Sequence, residues 1–223
     1  MMFSLSEKLI ASVAPHVCLL CKAEGKVVCD DCLPGLYRPR RSACFMCNAL
    51  TDDFKTCASC RRKTPLKRVW VATRYEAYVK QLIKQYKFER MRAAHTPLAQ
   101  LISKTIIAGQ YDLVVPVPSV TSRFRKRGYN PADLVAYDVA KAMQVKKVRA
   151  LGRHGHARQV GHNRTERLKQ LEDTIYSSSV DVAGKSILLI DDVLTTGATL
   201  HQCALMLKRA GAKSIEAAVV ASS

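Results

Sequence analysis

The sequence predicts an α/β protein in which a parallel sheet carries helices on both faces and a small cysteine-rich module precedes it. Two observations predict the sheet. Short, unbroken apolar runs alternate with amphipathic segments after residue 65, and one such run, 187–190, ends in two carboxylates and a Thr/Gly turn. Four C-x-x-C pairs predict the module. We therefore expect a cysteine-rich module at residues 1–64 and an α/β domain at residues 65–223.

The cysteines indicate two structural metal sites. They form four pairs: Cys18/Cys21, Cys29/Cys32, Cys44/Cys47 and Cys57/Cys60. Two pairs complete a tetrahedral sulfur site that suits Zn²⁺, whereas this spacing is awkward for a disulfide. Sequential pairing closes the shortest loops, while a cross-braced arrangement, first with third and second with fourth, is the alternative. Iron–sulfur ligation is less favoured. We expect two Zn²⁺ ions, and a small buried side chain at Cys203.

The module is too short to bury much apolar surface, so we expect the metals to form its core more than its apolar side chains do. At the amino terminus, Leu5, Leu9, Ile10 and Val13 have helical spacing, which favours a short docked helix over a membrane anchor. Because no run approaches 18 apolar residues and the start is a poor signal peptide, we expect a cytoplasmic protein.

The first half of the α/β domain begins with a β-type run at residues 69–73. Two helices follow, with apolar stripes formed by Val79, Leu82, Ile83 and Tyr86, and by Leu98, Leu101, Ile102 and Thr105. Residues 112–118 form a second buried strand, followed by a basic loop. Asn130 and Pro131 are a cap residue and a first-turn proline, which predict a helix to about Met143.

The second half begins with a predicted strand at residues 146–151 and a long polar loop. Asn163 and Glu166 resemble a capping box for a short helix. The apolar run 187–190 predicts a buried strand, residues 198–210 a helix stopped by Gly211, and residues 214–221 the last strand. Strands that alternate with helices form parallel sheets, whose ligands bind at the carboxyl ends of the strands.

The segment after strand 187–190 predicts a site for a sugar phosphate. Asp191 and Asp192 offer carboxylates to vicinal hydroxyls. The candidate phosphate residues that follow are Thr195, Thr196, Gly197, Ala198 and Thr199. Small residues let backbone N–H groups approach a phosphate at the positive end of a helix. A buried strand followed by an N-capped helix is the plainer alternative, but the loop holds more polar groups than one cap uses.

This segment resembles the phosphoribosyl pyrophosphate (PRPP) motif of type I phosphoribosyltransferases. The resemblance implies that Asp191 and Asp192 hold the ribose 2- and 3-hydroxyls and that residues 195–199 hold the 5-phosphate. It places a diphosphate loop after an early strand, where this chain has Val117, Pro118 and Ser119. It also implies Mg²⁺ bound with PRPP, and a mobile loop that fits residues 152–161.

A second resemblance covers nearly the whole chain. The order of the cysteine pairs, YVKQLIKQYKF, DLVVPVP, RKRGYNPADLVA, RTERL and IDDVLTTGATL is similar to that of the ComF competence-protein family. That family joins a zinc ribbon to a phosphoribosyltransferase-like domain and is implicated in handling single-stranded DNA during natural transformation. The chain departs from the usual pattern at Pro131, Arg158 and His162-Asn163, all near the expected mobile site.

The formal net charge of +18 indicates a polyanionic partner. Basic residues cluster at 61–68, 123–127 and 146–169, and any one cluster by itself is compatible with an ordinary solvated surface. Aromatic side chains for base stacking lie among them, with Tyr78, Phe88 and Tyr129 the best candidates. The candidate DNA contacts are Arg61, Arg62, Lys63, Lys87, Phe88, Arg123, Arg125, Lys126, Arg127 and Tyr129.

Two functions of different classes follow. The first is a ComF-like protein that binds PRPP and single-stranded DNA and supports DNA uptake together with the uptake machinery. The second is an active phosphoribosyltransferase with an unidentified acceptor. Nothing in residues 66–110 indicates a pocket for a nucleobase acceptor, which favours the first.

Overall fold

The computed structural model describes residues 15–107, 110–153 and 175–222. The helices are α1 (Leu33–Leu36), α2 (Ala58–Arg61), α3 (Ala77–Phe88), α4 (His95–Thr105), α5 (Thr121–Arg127), α6 (Pro131–Met143) and α7 (Ala198–Arg209). The strands are β1 (Leu66–Arg74), β2 (Leu113–Pro116), β3 (Lys146–Lys147), β4 (Leu151–Arg153), β5 (Ile175–Ser177), β6 (Ser186–Leu194) and β7 (Ser214–Ser222). Two 3₁₀ turns lie at Asp52–Phe54 and Arg92–Ala94.

Five strands form one parallel sheet in the order β1-β7-β6-β2-β3. The centre of the sheet is β6, where Leu188 pairs with Val114 of β2 on one side and with Glu216 of β7 on the other. A separate antiparallel pair joins β4 to β5. The predicted α/β architecture is confirmed.

Successive side chains of β6 point to opposite faces, and both faces are buried. Leu188 and Ile190 pack in the cluster that includes the apolar faces of α3, α4 and α6. Ile187 and Leu189 pack in the other cluster, with α7 and the β4–β5 pair. Helices therefore cover both faces of the sheet, which explains why the run 187–190 is apolar without alternation.

The cysteine-rich part covers the outer edge of β1. The backbone N–H of Thr56 donates to the carbonyl of Lys67 at 2.8 Å, and its hydroxyl donates to the carbonyl of Leu66 at 2.7 Å. Lys55 forms an antiparallel bridge with Arg68. An uncovered edge strand exposes a row of unpaired backbone groups. These contacts supply partners for the first part of β1.

The apolar side chains of the cysteine-rich part belong to the same core as the sheet. Leu19, Val27 and Leu36 are buried in one cluster with Trp70 of β1. The expectation that metals would form this module's core more than its apolar side chains is therefore corrected. The sheet offers the apolar surface that a short cysteine-rich segment cannot make for itself.

Three predicted elements differ in the structure. The basic loop after Pro118 contains α5, because Arg and Lys favour helices and Gly128, at φ 79°, ends the helix in a left-handed conformation. Strand 187–190 continues as β6 through both carboxylates to Leu194, because β7 pairs with it to the end. The run 146–151 is divided between β3 and β4, which lie in different sheets.

The predicted helices beginning near Pro97 and at Asn130-Pro131, the helix starting at residue 198 and the last strand are confirmed. The amino-terminal helix, the capping box at Asn163 and Glu166 and most of the predicted mobile loop lie outside the described residues. Within the described part of the chain, none of the helices has the length and apolar character needed to cross a membrane.

Candidate functional site

A cleft of about 190 Å³ lies at the carboxyl ends of β2 and β6. Asp191 and Asp192 of β6 line it on one side, and Val117, Pro118 and Ser119, which follow β2, line it on another. Parallel strands end at the same edge of a sheet, so residues far apart in sequence meet here. The cleft therefore brings together the predicted ribose carboxylates and the predicted diphosphate loop.

The two carboxylates have different surroundings. Asp192 is 8% exposed, and its Oδ1 lies 2.6 Å from Nζ of Lys87, at the end of α3. Asp191 accepts a hydrogen bond at 2.8 Å from the backbone N–H of Asp192. Burial, followed by the charge of Asp192, raises the pKa of Asp191 to about 7, and Lys87 only partly opposes this shift. The pair thus combines one carboxylate in an ion pair with one that titrates near neutral pH.

The Thr/Gly segment forms the turn between β6 and α7. Gly197 has φ 73°, a left-handed conformation that glycine adopts without a steric penalty. A Cβ at this position would lie 2.8 Å from the ring of Phe45, which stands between Cys44 and Cys47 in the sequence. Glycine therefore suits this position both because of its backbone conformation and because the ring of Phe45 leaves little room for a side chain.

The predicted phosphate residues occupy different positions around this turn. Thr199, in the first turn of α7, lines the cleft. Gly197 and Ala198 are buried, Thr196 is half-buried and Thr195 is exposed. The hydroxyl of Thr196 accepts from the backbone N–H of Ala198 at 3.4 Å. The amino terminus of a twelve-residue helix carries partial positive charge and is suited to an anion.

Asn130 fixes the other wall of the cleft in addition to its predicted capping role. Its Oδ1 accepts from the backbone N–H of Ala132 at 3.2 Å, which confirms the cap. The same oxygen accepts from the hydroxyl of Ser119 at 2.7 Å, and its Nδ2 donates to the carbonyl of Val117 at 3.0 Å. One amide therefore ties the loop after β2 to the start of α6. The Asn-Pro pair indicated the helix start but not this second role.

Four predicted DNA contacts also line the cleft: Lys87, Phe88, Arg123 and Arg127. Phe88 is 69% exposed, and the guanidinium of Arg127 lies 5.0 Å from its ring centroid. Partial burial lowers the pKa of Arg127, although the charge of Asp192 opposes this. The side chains predicted for PRPP and those predicted for DNA therefore meet at one surface.

The other predicted DNA contacts lie elsewhere. Arg125 and Lys126, on α5, and Arg61, Arg62 and Lys63, at the end of the cysteine-rich part, are exposed. The last three come directly before Thr64, whose hydroxyl oxygen lies 3.0 Å from Nδ1 of His201 in α7. The basic end of the cysteine-rich part is thus held against α7, the helix that follows the Thr/Gly turn.

Tyr129 is corrected as a stacking candidate. Its side chain is 4% exposed, its ring packs at 5.6 Å from that of Tyr86, and its hydroxyl donates to the carbonyl of Tyr86. The guanidinium of Arg92 lies 5.2 Å from its ring centroid. The ring is enclosed between helices, so a nucleobase has no access to it.

The cysteines form two groups that follow sequence order. Cys18, Cys21, Cys29 and Cys32 form the first, and Cys44, Cys47, Cys57 and Cys60 the second, with the sulfurs of each group within 4.8 Å of one another. All nine cysteines are without a disulfide. The sequential pairing is confirmed, and Cys203 is buried as expected.

The sulfur geometry fits a tetrahedral metal site. Sγ of Cys21 lies 3.6 Å from Sγ of Cys29, and the same distance joins Cys47 to Cys57. Zinc–sulfur bonds of about 2.3 Å in a tetrahedron separate neighbouring sulfurs by about 3.8 Å. Each group can therefore hold one Zn²⁺ through four thiolates, and the ion would fix the loops that carry Phe45 and the basic residues.

We expect Asp191→Asn to change the pH dependence of stability. Because its pKa is raised from 3.8 to about 7, Asp191 binds its proton more tightly in the folded state, and its contribution to stability falls as pH rises between these values. Asparagine cannot ionise, so the stability of the variant relative to the parent should increase from pH 5 to pH 8. Urea unfolding at each pH measures this difference. Replacing the exposed Glu24 by Gln is the control, and a difference that does not vary with pH contradicts the prediction.

We expect Gly197→Ala to weaken binding of ribose phosphates because the new Cβ meets the ring of Phe45. Gly184 is a matched control, since it also has positive φ, 69°, but a Cβ added there would have nothing within 4 Å. Each alanine should lower the free energy of unfolding by about 1 kcal/mol, because alanine is strained in a left-handed backbone conformation. Gly197→Ala should lower the free energy of unfolding by more than Gly184→Ala does. It alone of the two should reduce the affinity for PRPP, which titration calorimetry measures.

The contact itself is tested by combining Gly197→Ala with Phe45→Ala. If the ring is the obstacle, the two changes are coupled, and the double variant is more stable than the sum of the single effects predicts. Additive free energies of unfolding would mean that Phe45 does not restrict the turn.

Sequence comparison relates this chain to known proteins. A phosphoribosyl transferase domain matches residues 97–223, more than half of the chain. The DNA utilization protein YhgH of Salmonella typhimurium is 26% identical over 223 residues, covering 91% of this chain and 95% of that protein. The competence protein ComFC of Bacillus subtilis is 26% identical over 222 residues, covering 87% and 90%.

A solved structure, adenine phosphoribosyltransferase from Thermoanaerobacter pseudethanolicus, aligns with a TM-score of 0.39 and 14% identity over 60% of this chain and 83% of that chain. The curated relatives extend over the cysteine-rich part as well as the α/β part, because their alignments include most of both chains. The chain therefore belongs to the phosphoribosyl transferase domain family, and its predicted resemblance to the ComF competence proteins is confirmed.

Proposed function

We propose that the protein is a cytoplasmic ComF-like competence protein that binds PRPP and single-stranded DNA and supports DNA uptake in natural transformation. The observation that carries the proposal is the shared cleft, where the carboxylates of β6 and the loop after β2 lie beside Lys87, Phe88 and Arg127. The names of the relatives, a DNA utilization protein and a competence protein, support the connection with DNA. We further propose residues 1–64 and 65–223 as its two domains.

In this proposal the cleft binds PRPP through separate groups. Asp191 and Asp192 accept hydrogen bonds from the ribose hydroxyls, and the turn before α7 binds the 5-phosphate. The loop after β2 binds the diphosphate, and Mg²⁺ bound with PRPP would shield the diphosphate charge. Because Lys87 is paired with Asp192 at 2.6 Å, ligand binding exchanges part of that ion pair for hydroxyl contacts.

DNA binding in this proposal uses stacking and charge together. Phe88 presents an exposed ring at the rim of the cleft, and the guanidinium of Arg127 lies against that ring. Bases of any sequence stack on such a ring, whereas bases within a duplex are not accessible to it. Arg123 lines the same cleft and supplies charge for the phosphates. The exposed residues 61–63 extend the basic surface across the cysteine-rich part.

We expect Phe88→Ala to weaken binding of a dT oligonucleotide by about tenfold, because stacking contributes on the order of 1–3 kcal/mol per base. Tyr78→Ala is the matched control: Tyr78, the other stacking candidate on α3, is also exposed, but unlike Phe88 it does not line the cleft. Fluorescence anisotropy against single- and double-stranded DNA at several salt concentrations measures the effect.

Titration calorimetry with PRPP and Mg²⁺ tests the PRPP half of the proposal. Asp192→Asn should lose the affinity for PRPP and retain the affinity for the oligonucleotide. Affinity for single-stranded DNA no greater than that of an unrelated protein of similar charge would contradict the DNA half. A parent protein that fails to bind PRPP would contradict the other half.

A second candidate is an active phosphoribosyltransferase with an unidentified acceptor. The observation that favours it is Phe88 itself, since an exposed ring beside the carboxylates can hold a planar acceptor as well as a base of DNA. This residue lies within 66–110, where the sequence indicated no base pocket.

For this candidate we expect release of pyrophosphate from PRPP and Mg²⁺ when a suitable acceptor is present, and loss of release in Asp191→Asn. A coupled pyrophosphate assay with a panel of nucleobases and amines is the measurement. Protein with the reaction components but no acceptor provides the background rate. If no acceptor raises release above that rate while PRPP binds, the protein functions by binding and the second candidate fails.

A further inference from the structure

We propose that a second cavity, separate from the cleft, binds the phosphates of single-stranded nucleic acid. It measures about 340 Å³ and lies where the cysteine-rich part meets the carboxyl ends of β1 and β7. Its lining includes Arg40, Arg41, Arg74 and Leu50. This inference rests on the proposed DNA binding and adds a contact region that the basic clusters in the sequence do not include.

The charge of the cavity suits phosphate. Three guanidinium groups line it, and Glu76 contributes the one carboxylate among the lining residues. Nη1 of Arg74 lies 4.0 Å from Oε1 of Glu76, and both side chains are more than half exposed, so this pair neutralises little of the positive field. Arginine presents a planar fork of donors that matches two phosphate oxygens at once.

The segment that leads to two of these arginines is held in place by hydrogen bonds to the sheet. The hydroxyl of Thr73, a buried residue of β1, donates to the carbonyl of Leu36 at 2.8 Å and accepts from the backbone N–H of Arg38 at 3.2 Å. Nη1 of Arg40 donates to the hydroxyl of Ser222. Residues 36–40 are therefore fixed against the sheet before any ligand binds, which lowers the entropic cost of binding.

The cavity and the cleft both lie at the carboxyl ends of the strands. Ser222 of β7 pairs in register with Arg74 of β1 on one side and with Leu194 of β6 on the other. Neighbouring strands are about 4.8 Å apart, so Arg74 lies roughly 10 Å from Leu194, the residue before the Thr/Gly turn. A polymer with regularly repeated phosphates can contact both places, whereas a small anion can occupy only one.

The cavity also has an apolar rim. Leu50 is 71% exposed, and Ala43 lies in the same lining. Apolar surface beside guanidinium groups suits a chain that alternates charged phosphates with the flat faces of bases. A free phosphate has no group that would use this surface, so the occupant we assign is a nucleic acid strand.

The test replaces two exposed arginines by a polar residue, as Arg41→Gln/Arg74→Gln. The plot of log Kd against log salt concentration for a dT oligonucleotide should lose about 0.7 in slope per phosphate contact removed, or about 1.4 for two. Affinity at low salt should fall by about tenfold or more. The matched control, Arg209→Gln/Lys213→Gln, removes the same charge from exposed positions near the amino end of β7, at the opposite end of the sheet. This control should retain the slope.

Each outcome decides the proposal. If Arg41→Gln/Arg74→Gln retains the salt-dependence slope and the affinity of the parent protein, the cavity does not bind DNA and the proposal fails. The proposed DNA binding elsewhere on the protein would still stand. Equal losses of slope and affinity in this variant and in the control would mean that only the net charge matters. That result would also overturn the proposal. If inorganic pyrophosphate binding is lost but oligonucleotide binding is retained, the cavity is a small-anion site and the proposal fails. Absence of oligonucleotide binding by the parent would instead remove the proposed function on which this inference depends.

Discussion

The outer edge of β1, which no other strand of the sheet pairs with, is the constraint on which the arrangement of the cysteine-rich part depends. Thr56 supplies hydrogen bonds to the start of this strand, and Thr73 holds residues 36–38 near its end. Because backbone groups at a sheet edge require partners, the cysteine-rich part is fixed along the strand and not merely linked to it. This attachment brings Phe45 against Gly197 and the guanidinium of Arg40 to Ser222. The cysteine-rich part thus contributes to the shape of the site.

The cleft contains an unequal distribution of charge. The pKa of Asp191 is raised toward neutral by burial and by its neighbour, while Asp192 is held by Lys87. Placing two adjacent carboxylates in a partly buried position costs free energy, which an ion pair, a bound proton or a bound ligand can offset. Such a cost is typical of positions kept for binding, since a structural role would be served by apolar residues at the end of a central strand.

The sheet also determines how the positive charge is presented. The carboxyl ends of β1, β7, β6 and β2 lie side by side, so the arginine-lined cavity and the cleft lie at the same end of the sheet. A net charge of +18 by itself specifies attraction to polyanions but no path across the protein. The order of the strands distributes the charged side chains over two neighbouring regions, one lined by the carboxylates of Asp191 and Asp192 and the other lined by three guanidinium groups.

The sequence by itself determined the local features: the four cysteine pairs, the buried run 187–190 followed by two carboxylates, and the helix start at Asn130. These follow from spacing and from short-range chemistry. Only the tertiary structure decided that Tyr129 is enclosed, that Phe88 borders the cleft and that the ring of Phe45 lies close to Gly197. Each of these depends on contacts between residues far apart in the chain. Periodicity identifies a buried face, but the elements that cover it are set by how strands pair and helices pack.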